Sequence, residues 1–263
     1  MKKNLRFIKT NADLLIVLII GLTLRLKIIL RDDLWYDEAF TGLLMRIPKD
    51  KFLEIIKNDP HPPLYMLINK LWILVFGVSD FSLRFLPLKF GILTIIIVYL
   101  LTKKLFQKET AVVAAFLAAI NPFLIGYSIE ARSYSFFGFI TALTAYFLIT
   151  KHFNLFVLAL VVMLNTHFMS LTFMPVLLSY YVYLIFKGKL GWKKEIPRLA
   201  TILIVLSVTY FFGINNKPDS LNTEWIRRTS FKNIQRSITA YSYGVKTKLA
   251  GKDEVNNLNF FVN

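Results

Sequence analysis

The sequence predicts an all-α, polytopic membrane protein, and three observations predict it. Hydrophobic residues fill 56% of the 263 positions and aromatics 15%, while only 18% are charged, a balance outside that of soluble globular chains. Mean hydropathy is +0.54. Apolar runs recur along the chain at lengths approaching the ~20 residues a spanning helix needs, and Lys and Arg gather in alternate connections between them.

Seven spans are expected, at residues 14–30, 85–101, 111–127, 134–150, 153–164, 168–186 and 199–214. The first carries Arg25 and Lys27 in its last third, where long cationic side chains can snorkel to a headgroup region. The fifth is short for ~30 Å of hydrocarbon, so it thins the bilayer, borrows flanking residues or re-enters. Between the first and second spans lies a long loop, residues 31–84. Within it, residues 48–58 place Phe52, Ile55 and Ile56 on one side and the charges elsewhere, which suits a short interfacial helix. Pro62 and Pro63 then start a second helix through Phe76, because proline is tolerated in a first helical turn, and Gly77 to Asp80 end it. Asn121-Pro122 closes the third span, and Glu130-Ala131-Arg132-Ser133-Tyr134 opens the fourth.

Orientation follows the cations. Lys2, Lys3, Arg6 and Lys9 precede the first span, Lys103, Lys104 and Lys108 join the second to the third, Lys151 marks the next turn on that side, and Lys187, Lys189, Lys193, Lys194 and Arg198 the one after. The positive-inside rule therefore puts the N-terminus in the cytoplasm and the 31–84 loop outside. The N-terminal basic and apolar stretches resemble a signal peptide but lack a small-residue cleavage site, so they read as a retained span. A formal charge of +16 spread over loops on both sides of an apolar body fits lipid headgroups and lipid phosphates, not nucleic acid. With no cysteine there is no disulfide and no thiolate metal site. Residues 1–214 read as one membrane domain, and 215–263 as a polar, basic extracytoplasmic tail that begins a further C-terminal part.

Chemistry concentrates at the outer helix ends. Asp37 and Glu38 stand together in Leu34-Trp35-Tyr36-Asp37-Glu38-Ala39. As helix neighbours their side chains diverge by about 100°, so one of them is primary. They read either as a capped, dipole-matched helix start or as a base or ion site. His61 is held in a Pro-flanked turn, and His167 ends the fifth span; each reads as a ligand-facing or an incidental imidazole. Glu130 and Arg132 form a local ion pair or face a phosphate, whose oxygens suit the guanidinium fork. Arg84, Lys89 and Arg25 read as snorkelling side chains or as partners of an outer-leaflet phosphate. No phosphate-binding loop, dinucleotide fingerprint, nucleophile elbow or zinc motif is present.

In order, Leu-Trp-Tyr-Asp-Glu-Ala, His61-Pro62-Pro63-Leu64-Tyr65, Ser82-Leu83-Arg84-Phe85-Leu86-Pro87, Asn121-Pro122-Phe123, Glu130-Ala131-Arg132-Ser133-Tyr134 and Thr166-His167-Phe168 resemble the multispanning glycosyltransferases that use polyprenyl-phosphate sugars. These form the protein-mannosyltransferase-like and lipopolysaccharide-sugar-transferase-like branch of the C-type superfamily. The resemblance covers about residues 12–187. It implies a cell-membrane enzyme with an outward-facing site, a polyprenyl-phosphate sugar as donor, and a lipid, glycan or protein as acceptor. By position it implies Asp37, with Glu38 beside it, as the catalytic centre of an inverting transfer. His61, Arg84, Glu130, Arg132, Tyr134 and His167 are then expected to bind the donor or its lipid phosphate. A divalent metal between Asp37 and Glu130 is an open alternative. The competing expectation is a transporter or flippase of lipid-linked sugars, which calls for ionisable groups near mid-membrane and broken helices in paired halves.

Overall fold

The structure, a computed structural model, describes residues 12–30, 32–59 and 61–215. Lys2, Lys3, Arg6 and Lys9, and the expected tail beyond Asn215, lie outside the described residues. Every regular element among the described residues is a helix. In chain order these are α1 (Ala12–Ile28), α2 (Tyr36–Arg46), α3 (Lys49–Asn58), α4 (Leu64–Phe76), α5 (Asp80–Leu105), α6 (Lys108–Ile120), α7 (Pro122–Ser128), α8 (Tyr134–Ile149), α9 (Phe153–Leu164), α10 (Ser170–Phe186) and α11 (Trp192–Asn215).

Each expected span is helical, but among the described residues only α5 is by itself long and apolar enough to cross a bilayer. The pair α6 and α7 makes a second candidate, bent by 59° at its break. The cause of the break is local. Asn121 accepts a hydrogen bond from the Leu124 N–H at 2.9 Å and Pro122 occupies the first helical turn, so the chain restarts a helix in a new direction where the sequence alone suggested an end. Helices α4, α8, α9 and α10 are apolar but shorter. The all-helical class holds, but the count of seven spans is not shown: among the described residues one or two helices meet the length that hydrocarbon demands.

Helix α5 is the hub, packing on α1, α4, α6, α7 and α8. Along α6 a small-residue stripe of Ala111, Ala115, Ala118 and Ala119 lets α1 and α5 approach closely around Val17, Ile95 and Tyr99. Close approach is enforced at Gly91, where an added Cβ would lie 2.4 Å from the Ser128 Cβ. Lys108 pairs with Asp13 at 2.7 Å at one end of the α1–α6 contact, while Arg25 donates to the Ala119 carbonyl at 3.0 Å at the other. The two helices thus run parallel.

Arg25 departs from the snorkelling expectation. It is fully buried, donating also to the Gly21 carbonyl at 2.9 Å. Ala119 is in the last turn of α6, where carbonyls lack intrahelical partners, so a cation there meets both an orphan acceptor and the negative helix end. Lys89 is exposed and lies over the Trp72 ring, 4.4 Å from its centroid.

The 31–84 loop contains the expected pair of helices. Helix α3 buries Phe52 and Ile56, and α4 buries Tyr65, Met66 and Ile73, against Leu44, Met45, Leu83, Leu86, Ala131 and Phe136. Gly77 ends α4 at φ 71°, a left-handed conformation that favours glycine, and its N–H donates to the Ile73 carbonyl. Lys70 of α4 donates to the Met45 and Ile47 carbonyls at 2.8 and 2.9 Å, closing the C-terminus of α2. The Ser79 side chain accepts from the Ser82 N–H and caps α5. The remaining core joins α8, α9, α10 and α11 around Phe156, Leu160, Met163 and Tyr181. There Tyr181 and Arg198 both donate to the buried Glu195 carboxylate, and Arg198 reaches Asn154, tying α9, α10 and α11 together.

Candidate active site

The two neighbouring carboxylates of α2 face different worlds. Trp35 takes the N-cap position and gives no side-chain cap, so Asp37 and Glu38 both sit inside the first turn, where acidic residues favour the positive helix end. The Glu38 side chain is 1% exposed and the Asp37 side chain 34%. Glu38 receives the Arg84 Nε at 2.9 Å on Oε1 and Nη2 at 2.7 Å on Oε2, a two-pronged pair, and Oε1 also accepts the Ala131 N–H at 2.8 Å. Arg84 then donates Nη1 to the Ile29 and Asp32 carbonyls at 3.0 and 2.7 Å, and Nη2 to Asp33 at 3.0 Å. Every N–H of Arg84 is occupied within the protein, and no donor remains for a lipid phosphate. Its geometry is that of a strut joining the end of the first helix, the start of α2, the start of α5 and the 129–133 turn.

Asp37 points away from that strut towards Arg132, with Oδ2 3.9 Å from Nε, beyond hydrogen-bond length. Arg132 is 8% exposed and is carried by a tight turn in which its own N–H donates to the Glu130 carbonyl at 2.7 Å. Tyr134, the first residue of α8, interacts with the Arg132 side chain. Ser135 beside it donates to the Pro87 carbonyl at 2.8 Å, fixing the start of α8 against α5. Glu130 is half-buried on the same turn.

His61 enters from the α3–α4 connection. Asp59 Oδ1 accepts the His61 backbone N–H at 2.7 Å and contacts the ring Nδ1 at 2.9 Å, a side-chain-stabilised turn that orients the imidazole. Burial works to raise the Asp59 pKa, but the hydrogen bonds and charge of His61, with Arg132 adding, hold it below the ordinary carboxylate value. His167, in the turn between α9 and α10, accepts the Met169 N–H on Nδ1 at 3.1 Å, which leaves the other nitrogen as donor. Its ring stands 6.0 Å from that of His61 and 5.6 Å from that of Tyr134. Burial, then the charges of His61 and Arg132, keep its pKa below the ordinary histidine value. An aromatic wall continues through Tyr127, 4.8 Å from Tyr134.

Of the residues singled out from the sequence, Asp37, His61, Arg132, Tyr134 and His167 converge, Glu130 lies on the turn that carries Arg132, and Glu38 and Arg84 sit beneath as one buried pair. Two residues were overlooked. Asp59 carried a signal, an aspartate two residues before a histidine in a proline turn. Tyr65 stood only as the last residue of the His61-to-Tyr65 motif, and it takes packing to reveal that its hydroxyl is buried without a partner. Among the described residues no three His, Asp or Glu side chains converge to hold a metal ion, so an Asp37–Glu130 metal finds no full set of ligands here and no chemical step below passes through one.

Carboxylate, guanidinium and imidazole around one half-buried opening can deprotonate a hydroxyl and receive an anionic leaving group. No curated protein matches the chain. The family model of the dolichyl-phosphate-mannose-protein mannosyltransferases matches residues 60–212, which takes in α4 through α10 and every converging residue except Asp37 and Asp59. The chain belongs to that family of membrane glycosyltransferases.

Proposed function

We propose that the protein transfers a sugar, with inversion, from a polyprenyl-phosphate donor to a lipid, glycan or protein acceptor on the outer face of the cell membrane, with Asp37 as general base. The observation that carries this reading is the unequal pair. Glu38 is saturated by Arg84 and Ala131, whereas Asp37 is half-buried, partly solvent-facing and within 3.9 Å of a guanidinium. Family membership favours transfer over the transport of lipid-linked sugars.

In the proposed step the acceptor hydroxyl gives its proton to Asp37 as its oxygen bonds the anomeric carbon. The bond from that carbon to the phosphate oxygen breaks with both electrons leaving on the phosphate, so the configuration inverts. The departing monoester gains negative charge. Arg132 and the His61 imidazole stand where that charge develops, and preformed donors in a partly dry site stabilise it without reorganising. Asp59 orients His61, while Tyr134, Glu130 and His167 line the donor side. The loop connections rich in Lys and Arg face the cytoplasm and the site faces outward, as the alternation of cations and the parallel α1 and α6 support.

The test is a transfer assay on membranes supplied with a panel of radiolabelled polyprenyl-phosphate sugars, followed by determination of the product's anomeric configuration. Transfer from one such donor with inverted configuration is expected; retention of configuration contradicts the single-step reading.

A further inference from the structure

A small pocket of about 10 Å³, room for a single water-sized atom such as one oxygen, lies beside Arg132, lined among others by Asp59, His61, Tyr65, Met66 and Ser133. Its polar character comes mainly from donors. Tyr65 is 1% exposed and packs its ring against Phe136, with centroids 6.3 Å apart. Its hydroxyl has no hydrogen-bond partner. Burial raises its pKa, with the charge of Arg132 opposing and that of Glu38 adding, so the group stays an O–H donor held between those two charges. An unpaired buried hydroxyl costs stability, and an oxygen entering the pocket, from a water or from a ligand, completes it.

We propose that Tyr65 binds the donor directly: from the buried side of this pocket its hydroxyl donates to a non-bridging phosphate oxygen, opposite the Arg132 guanidinium. The pocket offers that oxygen Arg132, His61, Ser133 and Tyr65 as donors and one carboxylate, Asp59, that is already engaged by His61. A phosphate oxygen accepts from all of them, and its negative charge is matched by the Arg132 guanidinium. This rests on the reading that the donor is a polyprenyl phosphate, and it adds a residue outside the charged set.

Tyr65→Phe deletes only the oxygen and keeps the ring. The experiment follows the rise in melting temperature of the full chain in detergent as polyprenyl phosphate without a sugar is added, for the wild type and for Tyr65→Phe, so it needs no transfer activity. The expected result is that the variant alone melts at the same or a higher temperature, having lost an unpaired buried group, while half-saturation by polyprenyl phosphate requires about tenfold more ligand, as for a lost hydrogen bond to a charged group. Undiminished affinity in Tyr65→Phe overturns the inference and leaves the donor reading intact. No ligand-induced shift in the wild type overturns the donor reading and the inference with it.

Discussion

Two acid–arginine pairs lie within one turn of α2, and they are built oppositely. Glu38 and Arg84 are both buried, joined by two hydrogen bonds, and Arg84 is further occupied by three backbone carbonyls. Asp37 and Arg132 meet only at 3.9 Å, and the Asp37 side chain is one-third exposed. A saturated pair has nothing to offer a substrate and is costly to break. A loose pair contributes less to stability and leaves the Asp37 lone pairs for a ligand. Under the proposed function, the difference assigns Glu38 to the scaffold and Asp37 to the chemistry.

The largest effect comes from breaking the saturated pair. Glu38→Ala leaves Arg84 charged and unpaired in the interior, and a loss of roughly 3–5 kcal/mol is expected. Thermal melting of the purified variant checks this, and a melting temperature within a degree or two of wild type would remove the strut from the account. Arg132→Lys probes the loose pair. The lysine keeps the charge but loses the fork, so transfer is expected to fall on the order of 10²-fold, as when one preformed donor to a developing charge is removed. Stability should move little, because lysine keeps the positive charge beside Asp37 and the pair, at 3.9 Å, is already beyond hydrogen-bond length. An Arg132→Lys variant that melts early yet transfers normally would invert the comparison.

A smaller change is expected from Asp59→Asn. The amide oxygen still accepts the His61 N–H and preserves the turn, but the charge that steadies the imidazole is gone, and a roughly tenfold loss of kcat follows from one weakened charge-assisted hydrogen bond. An unchanged kcat would take His61 out of the charge-stabilising group. The smallest effect is on pH dependence. The His167 pKa is lower in the fold than its ordinary value of 6.5, so above that value neither folded nor unfolded state is protonated there. As pH falls through 6.5 the unfolded chain takes the proton first, and stability declines until the folded pKa is passed. Melting temperatures measured downwards from neutral pH should show this slope, and His167→Gln should flatten it.

The helices of the outer loop were legible because local rules wrote them: one apolar side on residues 49–58, a proline start and a glycine stop around residues 64–76. The break at Asn121 was misread as an end, since Asn-Pro stops one helix and caps the next equally well. Arg25 near a helix end suggested snorkelling. Its burial depends on the Ala119 carbonyl and on Gly21, 94 and four residues away, and the distant partner cannot be placed from the sequence. The same reason hid the role of Arg84, whose backbone acceptors at Ile29, Asp32 and Asp33 become neighbours only when the first helix turns into α2. Asp37, His61, Arg132, Tyr134 and His167 were visible as types at helix ends. That Glu38 belongs to the scaffold required three dimensions.

The comparison is tested most directly by one paired measurement on Asp37→Asn: initial transfer rate in membranes and melting temperature after purification. Removal of the base alone should lower the rate by at least about 10²-fold while stability falls by no more than a half-buried first-turn carboxylate in a loose pair is worth, about 1 kcal/mol. Transfer at the wild-type rate would contradict the assignment of Asp37. A collapse of stability would place Asp37 in the scaffold with Glu38.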